Sequence, residues 1–170
     1  MQLGIAALLG HAVCMHETQS NVSPMDALVA HYAAMPPVAA LQPRVMAWDA
    51  GRLRLAAPLA ANVNDKGCAF GGSLGSLMTL AAWGLVFLEL SSQGIEADIF
   101  VADSRVRFLK PVFEVLVVDA AFDDAGEHAA LADTLRRQGR ASIRLRASTA
   151  LEEGGVAATF MGRYVAIRKQ

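Results

Sequence analysis

The feature that most constrains this chain is an almost entirely apolar stretch of about eighteen residues, 73–90. Its length fits a helix, and a turn-rich loop, 62–72, precedes it and ends in Gly71 and Gly72. Between Leu74 and Leu90, glycine or polar residues interrupt it at five positions: Gly75, Ser76, Thr79, Gly84 and Glu89. A buried helix therefore fits better than a membrane span, and a helix that is apolar on nearly every side must be surrounded.

Strand patterns lie on both sides of this helix. Segments 44–48 and 52–56 are separated by polar residues and predict a hairpin. Four further strands are predicted after it, at 98–108, 114–122, 140–150 and 156–167. Short helices are predicted at 25–35, where Ser23 is the N-cap and Pro36 with Pro37 ends the helix, and at 129–138. Together these elements predict an α+β domain in which an antiparallel sheet wraps a central helix.

The strand 98–108 has a two-residue periodicity. Its even positions, from Phe100 through Ser104 to Phe108, form one mostly apolar face. Asp103, with Arg105 and Arg107, belongs to the other face. We therefore expect one face of the sheet to be buried and the other to carry charge.

Composition narrows the class of protein. A chain of 170 residues with 54% hydrophobic residues fits one domain, which we assign to 22–170, with 1–21 as a loosely ordered extension or an upstream start. A net charge of -1 gives no reason to expect nucleic acid or an anionic membrane as a partner. Cys14 and Cys68 lack the spacing of a zinc site or a disulfide scaffold, so we expect a cytoplasmic protein, and the histidines predict no metal site.

The loop and helix start carry a recognisable pattern. Asn64-x-x-Gly67-x-x-Phe70-Gly71-Gly72 resembles the Asn-x-x-Gly-x-x-His-Gly-Gly signature of hot-dog thioesterases. Over about 25–165 the chain resembles more closely the thioesterase family of the YiiD C-terminal-domain type. The segments that carry this resemblance are 57–59, 62–67, 70–74, 83–84, 97–99 and 103–104.

The resemblance implies a hot-dog fold and hydrolysis of an acyl thioester carried by coenzyme A or an acyl carrier protein. It implies no cofactor apart from coenzyme A as part of the substrate, and a homodimer or larger homo-oligomer. Two alternatives stay open: a non-catalytic module that binds acyl thioesters and, less favoured, a hot-dog dehydratase. The dehydratase generally needs a histidine with a carboxylate, and residues 62–80 contain no histidine.

The helix start is the expected carbonyl site. Main-chain N–H groups of Gly71, Gly72 and Ser73 lack helical partners there, and the helix dipole is positive. We expect a thioester oxygen at this position, with the acyl chain beside Phe70 and Leu74. From the residues alone, the glycines are better explained as allowing the helix to pack close to a sheet, and it is the resemblance that favours the carbonyl site.

The catalytic residues are harder to assign. By resemblance, Asn64 is expected to hold the carbonyl or the attacking water, but Phe70 replaces the signature histidine. Thr79 stands where many members place the catalytic Asp or Glu, and its hydroxyl is expected to orient water. Asp65 and Asp103 are candidate bases, with Asp103 preferred and its neighbour Ser104 expected to face the cleft. The alternative for Asp103 is a carboxylate paired with arginine on the outward face.

Arginines form a second candidate feature. Arg105 and Arg107 are expected to bind coenzyme A phosphates together with a cluster further along the chain: Arg136, Arg137, Arg140, Arg144 and Arg146. A solvated charged face is the alternative.

Overall fold

The computed structural model describes residues 22–49 and 51–169, so the expectation for 1–21 lies outside the described residues. The helices are α1 (Pro24–Ala34), α2 (Pro36–Ala39), α3 (Gly71–Ser92) and α4 (Ala125–Gln138), with a short 3-10 turn at Leu59–Ala61. The strands are β1 (Arg44–Asp49), β2 (Arg52–Ala57), β3 (Ala97–Phe108), β4 (Leu116–Phe122), β5 (Arg140–Ala150) and β6 (Val156–Arg168). All strand pairs are antiparallel, in the order β1-β2-β4-β5-β6-β3. The predicted α+β hot-dog arrangement is confirmed.

Helix α3 occupies the concave side of this sheet. Its core side chains include Leu77, Met78, Leu85 and Leu88, each fully buried. By length and composition α3 would be able to cross a membrane, but 61% of its most apolar window is buried inside the fold. The helix is therefore the core of the domain.

Two tyrosines and a tryptophan fix the position of α3. The Tyr32 hydroxyl donates to the carbonyl oxygen of Leu80 at 2.7 Å, and the Tyr164 hydroxyl donates to that of Thr79 at 2.9 Å. Trp83 Nε1 donates to the carbonyl oxygen of Ile99 at 3.0 Å. These bonds tie α3 to α1, β6 and β3. Helix α3 and strand β3 run in opposite directions, because Gly71 lies beside Phe108 at the end of β3 whereas Trp83 contacts Ile99 near its start.

Strand β3 lies at one end of the sheet, and its two-residue periodicity is interrupted. Its register with β6 shifts between Val101 and Asp103, so Ala102 is an extra residue in the strand. Val101 pairs with the buried Tyr164, whereas Phe100 pairs with Val165 on the opposite face. The prediction that Phe100 shares a face with Ser104 is therefore wrong, because the bulge reverses the faces in the first half of the strand.

Two element boundaries also differ from the predictions. Met35 is extended, with φ -99° and ψ 106°, as expected for a residue before proline, and α2 follows it where we expected the helix simply to end. Helix α4 begins at Ala125, four residues before the predicted start, because the Asp124 side chain accepts the Glu127 N–H at 2.7 Å.

Candidate functional site

The N-terminus of α3 has no side-chain cap. Its N-cap residue is Phe70, whereas α1 and α4 begin at the capping side chains of Ser23 and Asp124. The first N–H of α3 that reaches a helical acceptor is that of Leu74, which donates to the Phe70 carbonyl at 3.1 Å. The N–H groups of Gly71, Gly72 and Ser73 precede it, so this end of the helix offers donors to an anionic or polarised oxygen.

Two aromatic rings lie against these glycines. A Cβ atom at Gly71 would stand 3.5 Å from Cζ of Phe108, in ordinary contact, and one at Gly72 would overlap the ring of Phe70. Both rings remain exposed, Phe70 at 56% and Phe108 at 57%. The glycines therefore bring two phenylalanine rings close to the helix backbone beside the free N–H groups.

Two cavities lie beside Gly71 and Gly72, one at each glycine, and we call them together the N-terminal groove. The first, of about 290 Å³, is lined by Ala69, Gly71, Leu74, Phe108, Leu109, Lys110 and Pro111. The second, of about 410 Å³, continues along α3 and is lined by Gly72, Gly75, Ser76, Thr79, Leu80 and Val106. Most of this lining is apolar, as is typical of sites for small organic ligands.

The preceding loop is braced by two asparagines. Asn64 Oδ1 accepts the N–H groups of Lys66 at 2.8 Å and Cys68 at 3.3 Å, and its Nδ2 lies 3.2 Å from Cys68 Sγ. Asn62 is buried, and its Nδ2 donates to the carbonyl oxygens of Leu41 and Pro58. The carboxamide of Asn64 thus holds the loop, and all of its recorded hydrogen bonds are made within that loop.

The candidate acids are not brought to the groove of the same chain. Asp103 pairs with Arg163, with 2.7 Å between Oδ2 and Nη2, and both belong to the sheet face turned away from α3. Asp65 is exposed and pairs with Lys66 at 3.0 Å. Arg105 and Arg107 share the outer face with Asp103. Ser104 pairs with Gly162, on the face of the sheet that is turned towards α3. This is the face that the sequence predicted for Ser104.

The remaining candidates lie on α3. Thr79 lines the groove, but its hydroxyl donates to the Gly75 carbonyl at 2.8 Å within the helix. Ser73 is buried, and Leu74, also buried, lines the first cavity. Phe70, Gly71, Gly72, Ser73 and Leu74 are thus brought together at the helix start, whereas Asp103, Arg105 and Arg107 are not.

The lining of the N-terminal groove contains no Asp, Glu or His. Burial raises the pKa of Tyr164 far above its ordinary value, so the phenol keeps its proton and donates a hydrogen bond to the Thr79 carbonyl oxygen. Among the residues that the structure describes, no cluster of three potential ligands could hold a metal ion. The lining of the groove therefore supplies no general base of its own.

Sequence reasoning missed part of the groove. Phe108 was expected only as a strand residue, and Lys110 and Pro111 lie between two predicted strands and were assigned no role. A signal for these residues was available in the order of the elements. A strand that follows α3 and runs antiparallel to it ends near the start of the helix, so the residues at the end of β3 and just after it are expected beside Gly71.

Comparison with known proteins agrees with this architecture. Residues 28–168 match the family model described as "Putative thioesterase (yiiD_Cterm)". The chain belongs to this family. A putative thioesterase from Shewanella oneidensis is 28% identical, with a TM-score of 0.77 over 85% of this chain and 97% of that one. A protein of unknown function from Chlorobaculum tepidum is 25% identical, with a TM-score of 0.77 over 88% and 99% of the two chains.

A probable thioesterase from Pseudomonas aeruginosa has the same fold. It is 23% identical, with a TM-score of 0.71 over 87% of this chain and 99% of that one. The similarity to these three structures extends across nearly their whole length, which is 97–99% covered.

Proposed function

We propose that the protein hydrolyses acyl thioesters of coenzyme A or of an acyl carrier protein. The observation that carries the proposal is the uncapped start of α3, where Gly71, Gly72 and Ser73 offer N–H groups beside an apolar groove. Hydrogen bonds from preorganised N–H groups stabilise the oxyanion that forms when water adds to the thioester carbonyl. Phe70, Phe108 and Leu74 supply the apolar surface for the acyl group.

We propose further that the active form is at least a homodimer joined through β3. This strand has 12 residues and stands at the end of the sheet, with Phe100, Val101 and Phe108 exposed. A long edge strand with exposed apolar side chains is a template for pairing with another strand. Pairing of β3 with the same strand of a second copy would use its free backbone edge, cover Val101 and Phe108 on the face towards α3, and close the open flank of that helix.

A non-catalytic module that binds acyl thioesters is the second candidate. It is favoured by the groove lining, which has neither a carboxylate nor an imidazole, and by the Thr79 hydroxyl, which is engaged within the helix. Such a module would use the same N–H groups to hold the carbonyl without activating water.

A thiol-release assay on a panel of acyl-CoA and acyl-carrier-protein substrates separates the two candidates. We expect release from at least one substrate, at a rate proportional to protein concentration and well above the uncatalysed rate. Absence of release from every substrate, together with saturable binding of a non-hydrolysable acyl-CoA analogue, would instead establish a binding module.

A further inference from the structure

The outer face of the sheet, turned away from α3, carries an excess of arginine. Four arginines of this face form no ion pair within residues 22–49 and 51–169: Arg52, Arg105, Arg107 and Arg146. All four are exposed, and so is Met161, which lies between Arg105 and Arg146. We call these five residues the arginine patch.

The strand register places Met161 inside a row of cations. One row across five strands contains, in order, Arg52, Ala121, Arg146, Met161 and Arg105. Side chains directly opposite each other on neighbouring strands are about 4.5–5.5 Å apart at Cβ. Met161 is 43% exposed, and a cavity of about 300 Å³ lies in this row between Arg52 and Met161. The patch therefore combines positive charge with an apolar side chain that is open to contact.

Three ion pairs stand beside the patch. They join neighbouring arginines to carboxylates: Arg54 to Asp119, Arg144 to Glu127, and Arg163 to Asp103. Because these arginines are already neutralised, the positive charge of this region is concentrated on the patch. An anionic partner would therefore be attracted to the patch rather than to the sheet as a whole.

An acidic protein is the partner that fits this arrangement. A second copy of the same face is disfavoured, because face-to-face contact would set the unpaired arginines of two copies against each other. Nucleic acid is disfavoured by the net charge of -1 of the whole chain. Arginine and methionine are enriched in protein interfaces, and carboxylates placed around an apolar side chain would complement both parts of the patch.

The small size of the patch favours a partner that docks briefly. Five strands at a spacing of about 4.8 Å extend over about 19 Å, and Arg105 and Arg107 are about 7 Å apart along β3. This area is well below that of a stable interface, which is about 800 Å² per partner. A carrier that delivers its cargo and leaves after each turnover suits such a contact.

The patch ends beside the N-terminal groove. Arg107 precedes Phe108, and Cζ of Phe108 would stand 3.5 Å from a Cβ atom at Gly71. Lys110, which follows shortly after, is part of the lining of the groove. A flexible arm attached to a partner on the outer face can therefore reach the free N–H groups around the end of β3, without crossing the sheet.

We propose that the arginine patch docks an acidic acyl carrier protein, whose carboxylates pair with the four arginines around a contact with Met161. The proposal rests on the proposed function and selects between its two carriers: the acyl group arrives on a carrier protein rather than on coenzyme A. Arg105 and Arg107, which the sequence led us to expect at coenzyme A phosphates, bind carboxylates of the carrier instead.

Charge reversal tests this docking. Arg105→Glu combined with Arg146→Glu replaces the cations on both sides of Met161, whereas Arg105→Lys combined with Arg146→Lys keeps their charge. Met161→Ala removes the apolar contact. Arg137→Glu, at an exposed arginine of α4 outside the patch, is the control for reversal of a surface charge. Urea unfolding checks that all variants are folded.

Turnover of dodecanoyl-carrier protein and of dodecanoyl-CoA is measured for each variant. We expect the double reversal to lower kcat/KM for the carrier substrate about tenfold or more through KM, and to leave dodecanoyl-CoA within about threefold of wild type. Met161→Ala should lose activity on the carrier substrate alone, and the double lysine variant and Arg137→Glu should stay near wild type. Equal losses on both substrates, or an unaffected carrier substrate, would overturn the proposal.

Failure of the proposed function gives a different result. If wild type releases no thiol from either substrate, unacylated carrier protein is titrated into the same proteins by calorimetry. The patch then predicts binding that the double reversal weakens about tenfold or more and that Arg137→Glu leaves unchanged. Absent or unaffected binding would contradict the docking independently of catalysis. So would tighter binding of anionic lipid vesicles or single-stranded DNA through the same arginines.

Discussion

Asp103 and Arg163 form an ion pair across β3 and β6, with 2.7 Å between Oδ2 and Nη2. The pair lies on the outer face of the sheet, and α3 lies on the other face. An arginine partner and solvent exposure are typical of a surface charge. The structure therefore gives Asp103 no access to the N-terminal groove of its own chain.

Asp103→Asn should consequently have little effect. An exposed ion pair contributes about 0–1 kcal/mol, so we expect a change of that size in the free energy of unfolding measured with urea. We expect kcat/KM for thiol release to stay within about threefold of wild type, since the carbonyl donors are unchanged. A large loss of kcat/KM with unaltered unfolding would place Asp103 in the chemistry, through a second copy.

Two substitutions at Asn64 distinguish a role in holding the loop from a role in contacting the substrate. Asn64→Ala leaves the Lys66 and Cys68 N–H groups without their acceptor, and we expect it to destabilise the fold by about 1 kcal/mol. Asn64→Asp keeps an acceptor oxygen and should unfold at nearly the wild-type urea concentration. If the residue only braces the loop, Asn64→Asp also keeps its kcat/KM; a folded but inactive Asn64→Asp would show that the amide N–H contacts the substrate.

Two glycines of α3 should respond oppositely to alanine. A methyl group at Gly84 would overlap the Tyr32 hydroxyl and lie 3.0 Å from Leu53, so Gly84→Ala should cost about 1–3 kcal/mol by overpacking. At Gly75 the nearest atom is Val106 Cγ2 at 4.0 Å, and alanine there should stabilise an isolated chain by about 0.5–1 kcal/mol. Thermal unfolding of both variants checks the contrast, and equal effects would contradict it.

The proposed dimer makes its own prediction. Val101 on β3 is 42% exposed, and Val156 at the start of β6 is 40% exposed. Val101→Lys places a charge in the middle of the edge strand and should shift the protein to monomers in analytical ultracentrifugation. Val156→Lys, the matched control, should leave the dimer intact. A wild-type protein that sediments as a monomer at micromolar concentration would refute the pairing of β3.

The sequence predicts most of the fold because its signals are local. The apolar run that became α3, the alternation of β5 and the Ser23 cap depend on neighbouring residues alone. The Ala102 bulge was not predictable in this way, since it depends on how β3 pairs with β6 and leaves no mark in the residue pattern. One extra residue there was enough to move Phe100 to the other face.

The candidate site likewise contains residues that local sequence signals predict and residues that depend on long-range contacts. Gly71, Gly72 and Ser73 were predictable because an uncapped helix start follows from the residues that form it. The contact of Phe108 with Gly71 and the outward position of Asp103 were not predictable in this way. They depend on where β3 ends relative to α3 and on which face of β3 meets the helix.

The most direct test of thioester hydrolysis at the start of α3 is the comparison of Gly71→Pro with Gly71→Ala. Proline fits here, since Phe70 is extended with φ -66° and ψ 129° and Gly71 is the first helical residue. It removes one N–H, whereas alanine keeps it and its methyl group would only touch Phe108. We predict a loss of about 10²–10³ in kcat for Gly71→Pro and near wild-type turnover for Gly71→Ala, with both proteins folded. Equal turnover by the two variants would contradict the assignment of the carbonyl site.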